Sequence, residues 1–269
     1  LNMRYIDDED RQAAGRYNLD SSTYLRSLIA NNQVAYELKQ LGYTYLYMLS
    51  GHIVPSVMAD TNIAFYPEGS RYFAGADLGE EKSEGDWAYK QPFMSFFLKT
   101  TLLRSIAHRF DVQEEGEPYS MASPEMFWAT LAELERVPAM EEATFTFAHF
   151  VKPHGPIIFD KYGNAIDVEF DDEDPEKARY FFDELQYLNT QILTLVDHIL
   201  AQSSEPPIII LQADHGSNLG NPWDAGWRWT HFEIFNAYYF PDHATELLHP
   251  EIAPLNSFRA VFNQFFDGN

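Results

Sequence analysis

Apolar residues in this chain gather into two kinds of pattern, short unbroken runs and longer runs spaced three and four apart. The run Tyr43-Thr44-Tyr45-Leu46-Tyr47-Met48-Leu49 is aromatic and β-branched and predicts a strand over Tyr43–Met48. A helix is predicted before it, capped at Asp20-Ser21-Ser22, carrying Leu25, Leu28, Ile29 and Val34 to Leu41, and ended by Gly42. From Asp60 to Gln91 no periodicity persists, which predicts a long loop or insertion over one end of a sheet. Pro92 to Phe110 recovers helical spacing, and Ser123-Pro124-Glu125 opens a further helix to about Arg136, with proline at its first position.

A second strand is predicted over Thr144–Val151, stopped by Lys152-Pro153-His154-Gly155-Pro156. Asp171-Asp172-Glu173-Asp174-Pro175 lacks the glycine and spacing of a calcium loop and reads as the cap of the longest helix. In that helix Ala178, Phe181, Leu185, Leu188, Ile192, Leu195, Val196 and Ile199 form one apolar stripe. It leads into Ile208–Ala213, an apolar run between breakers that fits a strand buried on both faces of a parallel sheet. Ser217 to Thr230 should be a loop, Phe232–Phe240 a further strand and Phe258–Phe266 a final helix. Strands alternating with helices predict the α/β class, an α/β/α sandwich on a mainly parallel sheet. With no repeat or linker in view, 1–269 is expected to form a single domain.

The places where these strands stop carry the candidate chemistry. Open α/β sheets put their ligands beyond the carboxyl ends of the strands. Asp214-His215-Gly216 ends one strand, and a carboxylate beside an imidazole suits a divalent metal. An Asp and a His merely closing a strand turn is the alternative. His154 also lies beyond a strand, where it could meet Asp214 and His215. His149 falls inside the second strand, open to a hydrogen-bonded structural role or a functional one. Ser50-Gly51-His52 follows the first strand.

Charge and composition narrow the partners. With 41 acidic residues against 18 basic ones the net charge is −23, a field that repels nucleic acid and anionic lipid surfaces. An anionic substrate would then need a local cationic centre, which a bound metal provides. Cysteine is absent, so disulfides, thiolate zinc sites and cysteine nucleophiles are excluded. No segment approaches the roughly 20 apolar residues needed to span a bilayer. The chain opens on Leu1 and is expected to be a fragment or processed piece.

Three blocks in order resemble the sulfatase and alkaline phosphatase superfamily: Phe147-Ala148-His149-Phe150-Val151-Lys152-Pro153-His154-Gly155-Pro156, Ile208 to Gly216, and Phe235-Asn236-Ala237-Tyr238-Tyr239-Phe240-Pro241. Pro254-Leu255-Asn256-Ser257-Phe258-Arg259 adds a fourth, typical of the membrane-associated sulfatase-like branch that includes lipoteichoic acid synthase. The resemblance implies an alkaline-phosphatase-like fold. It also implies hydrolysis or transfer of a sulfate or phosphate ester, small or linked to lipid or glycan, by a Ser, Thr or formylglycine nucleophile held on a divalent metal (Mn, Mg, Ca or Zn). Asp214 and His215 match the family's late metal-ligand pair, and His154 matches a substrate-contacting histidine. His231 is open to three readings: a second ligand, a substrate contact, or a satisfied histidine at a strand start.

Leu1-Asn2-Met3-Arg4-Tyr5-Ile6 resembles the family segment just after the nucleophile helix begins, so the early metal-binding acid and the nucleophile are expected before Leu1. Ser217 follows Gly216 without a G-x-S-x-G elbow and does not replace them. The chain alone is therefore expected to be inactive and to hold a metal weakly, and its parent to be membrane-anchored or extracytoplasmic. The alternative is a non-catalytic relative that keeps the fold for binding or structure.

Overall fold

The computed structural model describes residue 3 and residues 28–50, 55–67, 69–75, 123–168, 176–216 and 232–266. The chain forms two compact units, Leu1–Glu133 with Met140–Gly155, and Leu134–Ala139 with Pro156–Asn269. No helix among the described residues is long and apolar enough to cross a membrane.

The first unit is built on β1 (Thr44–Met48), an inner strand of a four-stranded sheet. β1 runs parallel to β2 (Thr61–Tyr66) on one side and to β4 (Thr144–Ala148) on the other, and β3 (Gly69–Phe73) adds antiparallel to β2. Tyr45, Leu46, Tyr47 and Met48 are all buried, so β1 is covered on both faces. Its register with β4 pairs Tyr45 with Phe145 and Tyr47 with Phe147, and each pair stacks, at 5.1 and 5.5 Å between ring centroids. Such cross-strand aromatic pairs fix which residues face each other as well as burying area.

The helix predicted to run unbroken to Leu41 is interrupted at Asn31-Asn32. Asn32 starts a new helix, α1 (Gln33–Gln40), its Oδ1 accepting from the Ala35 backbone amide at 2.9 Å while its Nδ2 donates to Ile29 O at 2.8 Å. A capping asparagine is a stronger local signal than the apolar spacing that runs through it. Gly42, at φ +89°, takes the chain from α1 into β1. Asp60 ties α1, β1 and β2 together, accepting from Lys39 Nζ (2.7 Å) and Tyr45 N (2.8 Å). Burial opposes its charge, but these two donors hold the carboxyl below the usual carboxylate range.

The loop expected from Asp60 to Gln91 is instead β2 and β3 over its first part. Asn62, fully buried in mid-strand, hides the pattern. Its Oδ1 accepts from Ser56 N (2.8 Å) and its Nδ2 donates to Ser56 O (2.9 Å), so a polar side chain occupies an inward position at little cost. The helix predicted over Pro92–Phe110 lies outside the described residues. The Ser123 cap holds: Met126 N donates to Ser123 Oγ at 3.2 Å and α2 runs Pro124–Leu134.

In the second unit the longest helix is α3 (Lys177–Gln202). Its N-cap is Glu176, with no side-chain capping bond, and Asp171–Pro175, expected to cap it, lie outside the described residues. α3 packs on a hairpin that the sequence pattern does not announce, β5 (Ile157–Phe159) and β6 (Ala165–Val168). The hairpin turns through Asp160, whose carboxylate accepts from Tyr162 N, Asn164 N and Asn164 Nδ2, and through Gly163 at φ +85°. Glu184 of α3 is fully buried, and its Oε1 accepts from Ile158 N (2.7 Å) and Phe159 N (3.2 Å) of β5.

β7 (Ile209–Gln212) departs from expectation. It pairs antiparallel with β8 (Asn236–Tyr239) and is half-buried rather than covered on both faces. The strand predicted over Phe232–Phe240 shrinks to β8, because Phe232 and Phe235 are exposed and only the later residues find partners on β7. Tyr238 OH bonds Ser257 Oγ (2.8 Å) at the start of α4 (Ser257–Phe265), and Phe240 meets Phe265 edge-on at 5.3 Å.

Candidate active site

β7 delivers Asp214 and His215. Among the described residues the last tie between its chain and the neighbouring strand is Ala213 N to Phe235 O (2.9 Å), after which the backbone bends at Asp214 and His215. His215 N donates to Asp214 Oδ1 (3.0 Å), which turns the carboxylate back over the following residue. His215 Nδ1 lies 2.7 Å from Gly216 O. A carbonyl only accepts, so Nδ1 carries the proton and a neutral ring has its lone pair on Nε2. Nε2 is 3.8 Å from Asp214 Oδ2, and the carboxylate is 84% exposed.

This donor set fits a divalent ion. Two ligand bonds of about 2.1 Å at tetrahedral angles put the donor atoms about 3.4 Å apart, so a shift of a few tenths of an ångström would bring Nε2 and Oδ2 onto one ion. A metal-bound histidine usually has its other ring N–H held by a carbonyl or carboxylate, as Gly216 O holds Nδ1–H here. Asp214 and His215 supply two donors. Among the described residues no group of three or more His, Cys, Asp or Glu side chains stands together. His52 and His231 lie outside the described residues.

His154 belongs to the first unit and Asp214 and His215 to the second. His154 sits in the turn after β4, where its amide donates to Val151 O (3.0 Å) and Lys152 Nζ donates to its carbonyl (3.1 Å). Its ring is exposed, with Nδ1 2.8 Å from Gly155 O. His154 and His215 thus share one device, a histidine whose Nδ1–H is taken by the carbonyl of the following glycine.

His149 is not inside a strand as the sequence pattern implies. β4 stops at Ala148, and His149 is the first residue beyond it, with Nδ1 2.9 Å from Ser50 Oγ. Ser50 in turn follows the carboxyl end of β1, so the two side chains meet at one edge of the sheet. Sequence reasoning treats the two stretches separately. The signal that joins them is that each stands just past the end of one of two adjacent parallel strands, Ser50 by two residues and His149 by one.

The sulfatase family model matches residues 35–253, a span that runs from α1 through β8. No curated protein and no solved structure matches the chain. Members of that family act on sulfate and phosphate esters and are generally dependent on a divalent metal. The matched span contains the mostly parallel sheet with its flanking helices, as in an alkaline-phosphatase-like α/β fold, as well as the turn after β4 and the Asp-His-Gly bend after β7. On that match the chain belongs to the sulfatase family.

Proposed function

We propose that this chain carries one part of the active site of a metal-dependent enzyme that hydrolyses or transfers a sulfate or phosphate ester, in the branch that includes lipoteichoic acid synthase. The observation that carries the reading is the Asp214–His215 pair, with Nδ1 held by Gly216 O and Nε2 3.8 Å from Asp214 Oδ2. In this reading both units belong to one sulfatase-like domain, supported by a family match that crosses from one to the other. Asp214 and His215 serve as metal ligands, His154 as a contact to the ester's anionic group, and His231 as a second ligand or a substrate contact.

A bound divalent ion would supply positive charge to neutralise the transferring group and lower the nucleophile's pKa. Asp214 and His215 would hold that charge in a chain whose net charge of −23 otherwise repels an anion. His154 presents its Nε2 edge to the ester, since Gly155 O takes its other nitrogen.

Calorimetric titration of the chain with manganese, magnesium, zinc and calcium tests the reading. Weak binding is expected, because two donors fall short of the usual four. Asp214→Ala and His215→Ala should each weaken it by at least about tenfold, the loss typical of disturbing a ligand shell. Tight binding that survives both substitutions would put the metal elsewhere.

A further inference from the structure

The backbone ladder between β1 and β4 ends with Met48 opposite Ala148. Beyond it the chain after β1 is held to β2, through Leu49 N to Ile63 O (2.9 Å). The link across to the β4 side is made by side chains, Ser50 Oγ to His149 Nδ1 at 2.9 Å between residues 99 apart in sequence. Ser50 is 3% exposed, so its hydroxyl depends on this partner, and a buried hydroxyl that loses its partner is penalised by desolvation. An apolar pair would bury area there without fixing direction. A hydroxyl–imidazole bond fixes both.

From His149 the chain reaches His154 in five residues. Phe150 meets Phe127 of α2 edge-on at 5.5 Å, and Lys152 Nζ donates to the His154 carbonyl. A recess beside the pair, lined by Ser50, His149, Phe127, Thr130 and Lys152 among others, has a volume of about 10 Å³. That is room for about one water. With its Nδ1 on Ser50 Oγ, His149 acts through the turn it anchors. We propose that Ser50 and His149 form a latch across the carboxyl ends of β1 and β4, and that His149 is thereby the positioning residue for His154. This inference rests on the reading of His154 as a substrate contact.

Hydrogen exchange of the whole chain tests it, comparing Ser50→Ala, His149→Phe and His149→Asn. Asparagine offers a polar atom close to the place of Nδ1 and keeps the latch, while phenylalanine fills the space without it. Exchange at the His154 amide, which bonds Val151 O, should rise about tenfold in Ser50→Ala and His149→Phe, as for one lost hydrogen bond, and stay within about twofold in His149→Asn. The Leu49 amide, tied to β2, should not change. An equal rise at Leu49 and His154 would mean general destabilisation and would overturn the latch, as would no rise at His154. If His149→Phe does not fold, Ser50→Ala against His149→Asn decides.

A titration of the isotope-labelled chain with inorganic phosphate, read at the His154 ring, separates the two ideas. A response that weakens several-fold in Ser50→Ala and persists in His149→Asn is expected. No response in the unmodified chain overturns His154 as a substrate contact, while the exchange data still decide whether the latch exists.

Discussion

Glu184 makes the sharpest prediction about what holds the second unit together. Its carboxylate is fully buried under β5 and receives two consecutive backbone amides, Ile158 and Phe159. An intramolecular hydrogen bond contributes about 1 kcal/mol net and a stranded buried donor costs about 1–3 kcal/mol, with the 3.2 Å bond at the weak end. Alanine removes both bonds, strands two buried N–H groups and leaves a cavity, for a loss of about 4 kcal/mol. Glutamine keeps an acceptor oxygen and should cost about 1 kcal/mol. Methionine fills the space but accepts nothing. Because the partners are backbone groups that cannot be mutated away, apolar replacement does not rescue this site as it often rescues a buried ion pair, and about 2–3 kcal/mol should be lost. Urea denaturation followed by circular dichroism, with hydrogen exchange over 157–168, should rank stability as wild type, Gln, Met, Ala. Methionine equal to or more stable than the wild type would refute the reasoning.

Other substitutions test other parts of the structure. Gly163→Ala drives a Cβ into the Tyr187 ring at φ +85° and should cost about 2 kcal/mol, visible as a fall of several degrees in thermal melting. Burial raises the phenols of Tyr45 and Tyr47 well above the ordinary tyrosine value; Tyr47 raises that of Tyr45 further, against a bond from Asn32. A raised folded pKa gives stability that is complete below the unfolded value and lost as pH climbs toward the folded one. Above about pH 10 each tyrosine should therefore remove about 1.4 kcal/mol per pH unit, measured by urea melts between about pH 8 and 11. Tyr47→Phe should halve that slope. At neutral pH it should cost nothing, since the Tyr47 hydroxyl has no hydrogen-bond partner among the described residues.

The strands carrying the site were legible because their apolar runs are short and end at residues with their own turn chemistry. Thr44–Met48, Thr144–Ala148 and Ile209–Gln212 fall within a few residues of the predicted bounds. Hidden features depend on polar side chains satisfied from a distance. Asn62 is buried only because Ser56 meets it, and β5 is held by a glutamate 26 residues later in the chain. Nothing local in Ile157-Ile158-Phe159 predicts that partner. The Asp214–His215 pair was readable as a local motif, whereas Ser50 with His149 needed the register of two distant strands.

That register has a temporal side. Thr44 pairs with Thr144 and every later pair keeps the same separation, so the strand that completes the first unit's sheet is made long after the one it joins. At about 5–20 residues per second, β1 leaves the ribosome some 5–20 s before β4 exists. Over that interval β2 and β3 can pair beside it, but the edge bearing Tyr45 and Tyr47 has no stacking partners. An apolar edge waiting that long is a target for pairing with another nascent chain. The aromatic pairs that define the finished sheet therefore also mark where its synthesis is most vulnerable, and where a chaperone would be expected to bind.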